Sequence, residues 1–186
     1  MLLSKDALCV LFLLKNIVDY ICSMRFLLIT FMLFASSFSF GQKEEKAHIY
    51  DPAANAEEDI KAAVAKAAVE HKHVFIQVGG NWCVWCRRFH ALVEADTTLT
   101  RVINSNYVIV HVNYSPENKN EKVLAQLDYP QRFGYPVFVI LDAKGNRIHT
   151  QNSGYLEEGL GHSKKKVEEF LKQWSPVAVD PNTYKK

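Results

Sequence analysis

Trp82-Cys83-Val84-Trp85-Cys86 is the stretch around which the rest of the chain is ordered. An apolar run, Val74-Phe75-Ile76-Gln77-Val78, leads into it through Gly79-Gly80-Asn81. That run is β-branched and aromatic, which reads as a buried strand. Arg87-Arg88-Phe89-His90-Ala91-Leu92-Val93-Glu94 follows without Gly or Pro and reads as a helix. The two cysteines therefore stand where a strand gives way to a helix. A helix start has unpaired backbone N–H groups and a partial positive charge, and both favour a thiolate over a thiol. Cys83, at the mouth of the helix, is the candidate attacking sulfur. Cys86, one turn further in, is placed to close a disulfide with it.

Moving outward, Glu57 to Lys72 places Ile60, Val64, Ala67, Ala68 and His71 at helical spacing. Its acidic residues Glu57, Glu58 and Asp59 fall in the first turn, where the helix dipole favours them. A short amphipathic piece spans Asp96 to Asn106, and Tyr107 to Asn113 is a second strand. Asn120 to Leu127 is a short helix. The loop Tyr129 to Gly134 leads through Tyr135-Pro136 into a third strand, Val137 to Leu141. Asp142-Ala143-Lys144-Gly145-Asn146 has the composition of a tight turn, so Arg147 to Gln151 is expected to pair back antiparallel. Gly154 to Gly161 reads as irregular. Ser163 is expected to cap a final helix that runs to Trp174, with Val167, Phe170, Leu171 and Trp174 on one face. A β-α-β unit followed by a hairpin predicts an α/β domain, a mixed central sheet with helices on both faces.

The N-terminus reads as an address. Met24-Arg25 precedes an apolar run from Phe26 to Ala35, and small residues follow to Gly41. This is the layout of a secretory signal, with cleavage expected before Gln42. The run is shorter than the ~20 residues a spanning helix needs, so membrane attachment is expected only if the segment stays uncleaved. Residues before Met24 read as an upstream extension, with Met24 the true start. The organisation is thus 1–41 signal with extension, 42–55 tether, 56–176 folded domain and 177–186 tail. The location expected is the periplasm or the exterior of the cell.

The formal net charge of +2 is too small to imply nucleic acid as a partner. Of the four cysteines, Cys9 and Cys22 fall in the segment expected to be removed. The remaining pair is too few for a disulfide-stapled scaffold. The pair alone admits three readings. It is a redox couple, half of a zinc site completed by His90 with His71 or His73, or a purely structural disulfide. The strand-before, helix-after setting favours the first, and no second cysteine pair supports the second. Arg87 and Arg88 are either thiolate-stabilising charges or a solvated helix face. His90 reads as a partly packed helix residue. Trp82 and Trp85 read as aromatic cover around the sulfurs and as substrate-binding residues, with Trp85 the more exposed and the one expected to contact substrate.

The element order, the C-x-x-C opening the second helix and Tyr135-Pro136-Val137 before the third strand resemble the thioredoxin family, over roughly Glu57 to Trp174. The Trp before the first cysteine strengthens the resemblance. It implies that Cys83 is an exposed nucleophile and Cys86 a buried resolving thiol. It also implies that Pro136 is a cis proline facing the pair, and that the Tyr135 backbone pairs with an extended substrate segment. One position departs. Six residues before the first cysteine the family often carries a buried acid, and here stands Gln77, which cannot take a proton at neutral pH. The dipeptide Val84-Trp85 also differs from the Gly-Pro of cytosolic thioredoxins, and that dipeptide helps set redox poise. The resemblance implies an exported thiol–disulfide oxidoreductase, with reduction slightly favoured over oxidation. It would act on disulfide-bonded protein substrates and exchange electrons with a partner protein. It needs no metal or organic cofactor. The rival reading is a binding or chaperone module in which the cysteines are incidental.

Overall fold

In a computed structural model, the residues described are 48–185, and all lie in one compact unit. The signal segment, Met24 and the expected cleavage point before Gln42 fall outside the described residues. Among the described residues, no helix is long and apolar enough to cross a membrane.

The first helix, α1 (Ala56–Glu70), is capped by Asn55, whose side chain accepts from the Glu57 and Glu58 amides. It ends at His71, which takes a left-handed conformation and donates its N–H to the Ala67 carbonyl. Strand β1 (His73–Gly79) is buried at every position. Helix α2 (Val84–Ala95) starts at the cysteine pair, and α3 (Thr97–Asn106) is capped by the Asp96 carboxylate. Strand β2 (Tyr107–Asn113), α4 (Glu121–Gln126) and β3 (Val137–Leu141) follow. Strand β4 (Arg147–Asn152) returns after a turn in which Asp142 accepts from the Lys144 and Asn146 amides. Gly145 there has φ +85°, which glycine adopts without steric cost. The sheet order is β2-β1-β3-β4, with β1 parallel to β2 and antiparallel to β3. The mixed sheet is the expected one.

Alternation along β1 divides the core. Val74, Ile76 and Val78 face α1 and α4, where they meet Ala63, Ala67, Val123 and Leu124. Phe75 faces the opposite layer, with Phe89, Leu99, Phe138, Phe170 and Leu171. Two covered faces explain why β1 and β3 read as unbroken apolar runs.

Four details depart from the sequence reading. The buried stripe of α1 is Ala56, Ala63 and Ala67 with Ile60 and Val64, whereas Ala68 and His71 are exposed. The segment read as irregular holds a 3-10 turn, Ser153–Leu156, and a two-stranded ribbon, β5 (Glu157–Glu158) with β6 (Gly161–His162). Ser163 stands at the start of α5 (Lys164–Gln173), but its side chain makes no capping bond. The Lys164 ammonium instead pairs with Asp96 at the start of α3, 2.6 Å away. The chain past 176 continues as a short helix, α6 (Pro176–Val179), and a 3-10 turn, Pro181–Tyr184, both without buried residues.

Candidate functional site

The end of β1 and the start of α2 bring the cysteines together by local geometry alone. Gly80 accepts from the Cys83 amide, closing the turn, and Cys83 occupies the N-cap of α2. Its sulfur accepts from the Cys86 amide at 3.1 Å. This is the capping role that Ser or Asp plays elsewhere, here filled by a thiol sulfur. Cys83 and Cys86 are joined as a disulfide with Cα atoms 5.2 Å apart.

The peptide bond between Tyr135 and Pro136 is cis, and Tyr135 packs against the cysteine cluster. The Tyr135 ring stacks on Tyr114 at 5.1 Å and meets the edge of Trp82 at 5.3 Å. Burial and the neighbouring Tyr114 phenol both hold the Tyr135 phenol above its usual pKa. Trp82, Cys83, Trp85, Cys86 and Tyr135 thus fall into one neighbourhood, with Pro136 next in the chain to Tyr135.

The roles of the two tryptophans are reversed from the sequence reading. Trp82 is 52% exposed, and its Nε1 donates to the Tyr114 carbonyl at 2.7 Å. Trp85 is half-buried. It lies edge-on to His162 of β6 under the Arg88 guanidinium, 5.1 Å from the ring centre. The reason is position: Trp82 precedes the helix in the turn, while Trp85 is on the helix face that packs on the ribbon. Cys83 also differs from expectation. It is 4% exposed, covered together with Cys86 by Ile49, Trp85 and Tyr135.

Neither arginine is bound to a sulfur. Arg87 donates to the Asn81 carbonyl at 2.8 Å, and Arg88 lies on Trp85. His90 is half-buried beside Glu94, 3.2 Å away. His71 ends α1, and His73 contacts the Trp174 carbonyl through Nδ1. Among the described residues, no three His, Cys, Asp or Glu side chains converge as a metal site would require.

One participant was not singled out in the sequence. Tyr50 lies in the stretch read as a tether, yet it is 1% exposed and packs against both cysteines. Asn81 holds it there. The Asn81 Oδ1 accepts from the amides of Ile49 and Tyr50 at 3.0 Å each, and Nδ2 donates to the Tyr50 carbonyl at 2.7 Å. Gln77 is buried, and its Nε2 donates to the Tyr50 phenolic oxygen at 2.7 Å. The domain therefore begins before the 56 assigned to it. The available signal was slight: Ile49-Tyr50 is a two-residue apolar island just ahead of Asp51-Pro52.

Two histidines are kept neutral around this neighbourhood. Burial, with the His90 ring nearby, lowers the His111 pKa to about 4. Burial, with the Arg88 charge nearby, does the same to His162, also to about 4. The Tyr50 ring meets the edge of His111 at 5.6 Å.

Comparison with known proteins follows the same lines. Residues 55–143 match a family described as thioredoxin-like. A disulphide isomerase from Xylella fastidiosa Temecula1 superposes with a TM-score of 0.59 at 22% identity, over 68% of this chain and 95% of that one. The chain has a thioredoxin-like fold. Two other structures are more distant. A DsbH oxidoreductase has TM-score 0.47 and 20% identity, covering 59% of this chain and 77% of its own. A thioredoxin from Thermus thermophilus has TM-score 0.45 and 20% identity, covering 61% and 81%. No curated protein matches the sequence. The span that matches the thioredoxin-like family contains Gln77, both cysteines and Tyr135-Pro136, but not Tyr50.

Proposed function

We propose that the protein is an exported thiol–disulfide oxidoreductase working through Cys83 and Cys86. The observation that carries this reading is the Cys86 amide donating to the Cys83 sulfur at 3.1 Å, at the positive end of α2. The same N–H and the same dipole favour a thiolate once the pair is reduced. Cys83 attacks one sulfur of a substrate disulfide and forms a mixed disulfide, releasing the other sulfur as a thiol. Cys86 then attacks Cys83, and the remaining substrate sulfur leaves. The protein pair is oxidised by two electrons and the substrate is reduced by two. A partner protein restores the dithiol, and neither metal nor organic cofactor enters the cycle. Trp82, the exposed ring beside Tyr135, is positioned to meet the polypeptide around the substrate disulfide, and the Tyr135 backbone pairs with it.

Reduction is favoured over oxidation because oxidising relatives generally carry a helical insert. The chain between β2 and β3 holds only six-residue α4 and a 3-10 turn. Export rests on the signal-like residues 24–41, and it places the substrates in the periplasm or outside the cell.

The second reading, a binding or chaperone module, is favoured by the near-complete burial of Cys83. One assay separates the two. The protein is expected to accelerate the reduction of insulin by dithiothreitol at catalytic concentration, and Cys83→Ser is expected to abolish the acceleration. Equal traces for wild type and variant would leave only the binding module.

A further inference from the structure

Cys86 is fully buried, so a thiolate there is a buried anion and needs a hydrogen-bond donor. The Cys86 amide is turned to Cys83, and Gln77, though buried close by, spends its Nε2 on Tyr50. The phenol of Tyr50 lies in the same buried cluster as Cys86. The sulfur and the phenolic oxygen converge on the space left by Gly79: a Cβ there would stand 2.5 Å from the Cys86 Sγ and 2.6 Å from the Tyr50 Oη. No side chain intervenes at that position, because glycine has none.

The phenol is prepared as a donor. Its oxygen accepts from Gln77, and among the described residues its own proton makes no hydrogen bond in the disulfide form. Burial raises the phenol pKa above the usual value, so the proton stays on through the neutral range. Three hydrogen bonds with Asn81, two accepted and one donated by its side chain, fix the main chain of the segment that carries it. The placement is therefore part of the folded domain rather than a chance contact of a tether.

We infer that Tyr50 is the hydrogen-bond donor to the Cys86 sulfur in the reduced protein and in the mixed disulfide, and that it stabilises the thiolate that resolves the intermediate. This inference rests on the exchange chemistry proposed above. In the resolving step the Cys86 thiol gives up its proton, and its sulfur bonds to the Cys83 sulfur. The bond from Cys83 to substrate breaks, and the departing substrate sulfur takes the electron pair and a proton. Tyr50 keeps its own proton throughout. Its part is to hold charge on Cys86 where burial would otherwise suppress it.

The test uses Cys83→Ser protein, in which Cys86 is the one thiol of the domain, and reads its ionisation from the ultraviolet absorbance of the thiolate across pH. Adding Tyr50→Phe removes one oxygen and leaves the ring. The midpoint is expected to rise by about one unit, a roughly tenfold smaller thiolate fraction at a pH below both midpoints. Tyr184→Phe, at an exposed tyrosine, is expected to change nothing. A second readout needs no change at Tyr50: with carbon-13 in the tyrosine rings, the Tyr50 Cζ resonance is expected to move as Cys86 titrates. An unchanged midpoint in folded Tyr50→Phe protein, or a Cζ that stays still while Cys86 ionises, overturns the inference. If wild type fails the insulin assay, the exchange reading itself falls. If wild type passes and Tyr50→Phe leaves the midpoint alone, only the role of Tyr50 falls.

Discussion

Cys86→Ser is expected to stop the reaction half-way, with Cys83 held in a mixed disulfide to its substrate. The attacking sulfur sits at the N-cap of α2, and its activation comes from the helix dipole and the amide of residue 86, a main-chain group that the substitution leaves in place. Serine is close to cysteine in size, so the buried position is not overfilled. Its hydroxyl cannot displace a sulfur at neutral pH. Turnover in the insulin assay is therefore expected to fall by two orders of magnitude or more. A covalent adduct is expected to accumulate that dithiothreitol releases and that is visible by non-reducing electrophoresis. Cys83→Ser is expected to give no adduct. Equal adduct from both variants would mean that the two sulfurs do not divide the work as their positions imply.

The second large effect concerns stability. Phe75 is fully buried at the centre of β1, and its ring lies within 5.2–6.2 Å of those of Phe138, Tyr107, Phe89 and Phe170. Phe75→Ala removes the ring that joins α2, the sheet and α5. The expected loss is about 3–5 kcal/mol, the cost of a buried aromatic truncated to alanine plus the cavity left behind. Chemical denaturation measures it directly. Val69→Ala, at an 80%-exposed site on α1, is expected to stay within about 0.5 kcal/mol of wild type. A loss below about 1 kcal/mol at Phe75 would mean that the aromatic layer is not what holds α2 and α5 to the sheet.

Much of the fold was legible because its signals are local. Strands β1 and β3 are apolar on both faces, and so they stand out as continuous runs whatever their neighbours. The helix start at the cysteines follows from the glycines before it and the Gly- and Pro-free stretch after it. The cysteine pair and Tyr135-Pro136 were visible as residues, and the sheet order set them side by side. What was not legible depends on tertiary contact. Two apolar residues, Ile49-Tyr50, are too short a run to show any period, and what holds the Tyr50 main chain in place is Asn81, thirty-one positions along the chain. The exposures of Trp82 and Trp85 depend on a carbonyl of Tyr114 and on a two-residue ribbon ending at His162, neither of which spacing reveals. The α1 stripe shifted because the helix turns Ala56, Ala63 and Ala67 into the core, while Ala68, one position on, falls on the solvent side. Ser163 fails to cap although its residue type and backbone suit the role, so composition alone did not decide that helix start.

The positions of Gln77 and Tyr50 connect the fold to the chemistry. The alternation that sends Phe75 into the aromatic layer also turns Gln77 inward two residues later, where it meets the Tyr50 phenol. A neutral amide and a neutral phenol thus occupy the floor of the site, and His111 is held neutral beside them. With no fixed charge below, the ionisation of the pair is left to the helix end and to hydrogen bonds.

The central claim is that Cys83 is ionised near neutral pH by its place at the start of α2. The direct measurement is the rate at which iodoacetamide alkylates the reduced mature domain as a function of pH. The predicted result is that Cys83 reacts first, with a midpoint clearly below the ~8.5 of free cysteine, and that Cys86 is protected. A midpoint at or above that of free cysteine, or alkylation of Cys86 ahead of Cys83, would contradict it.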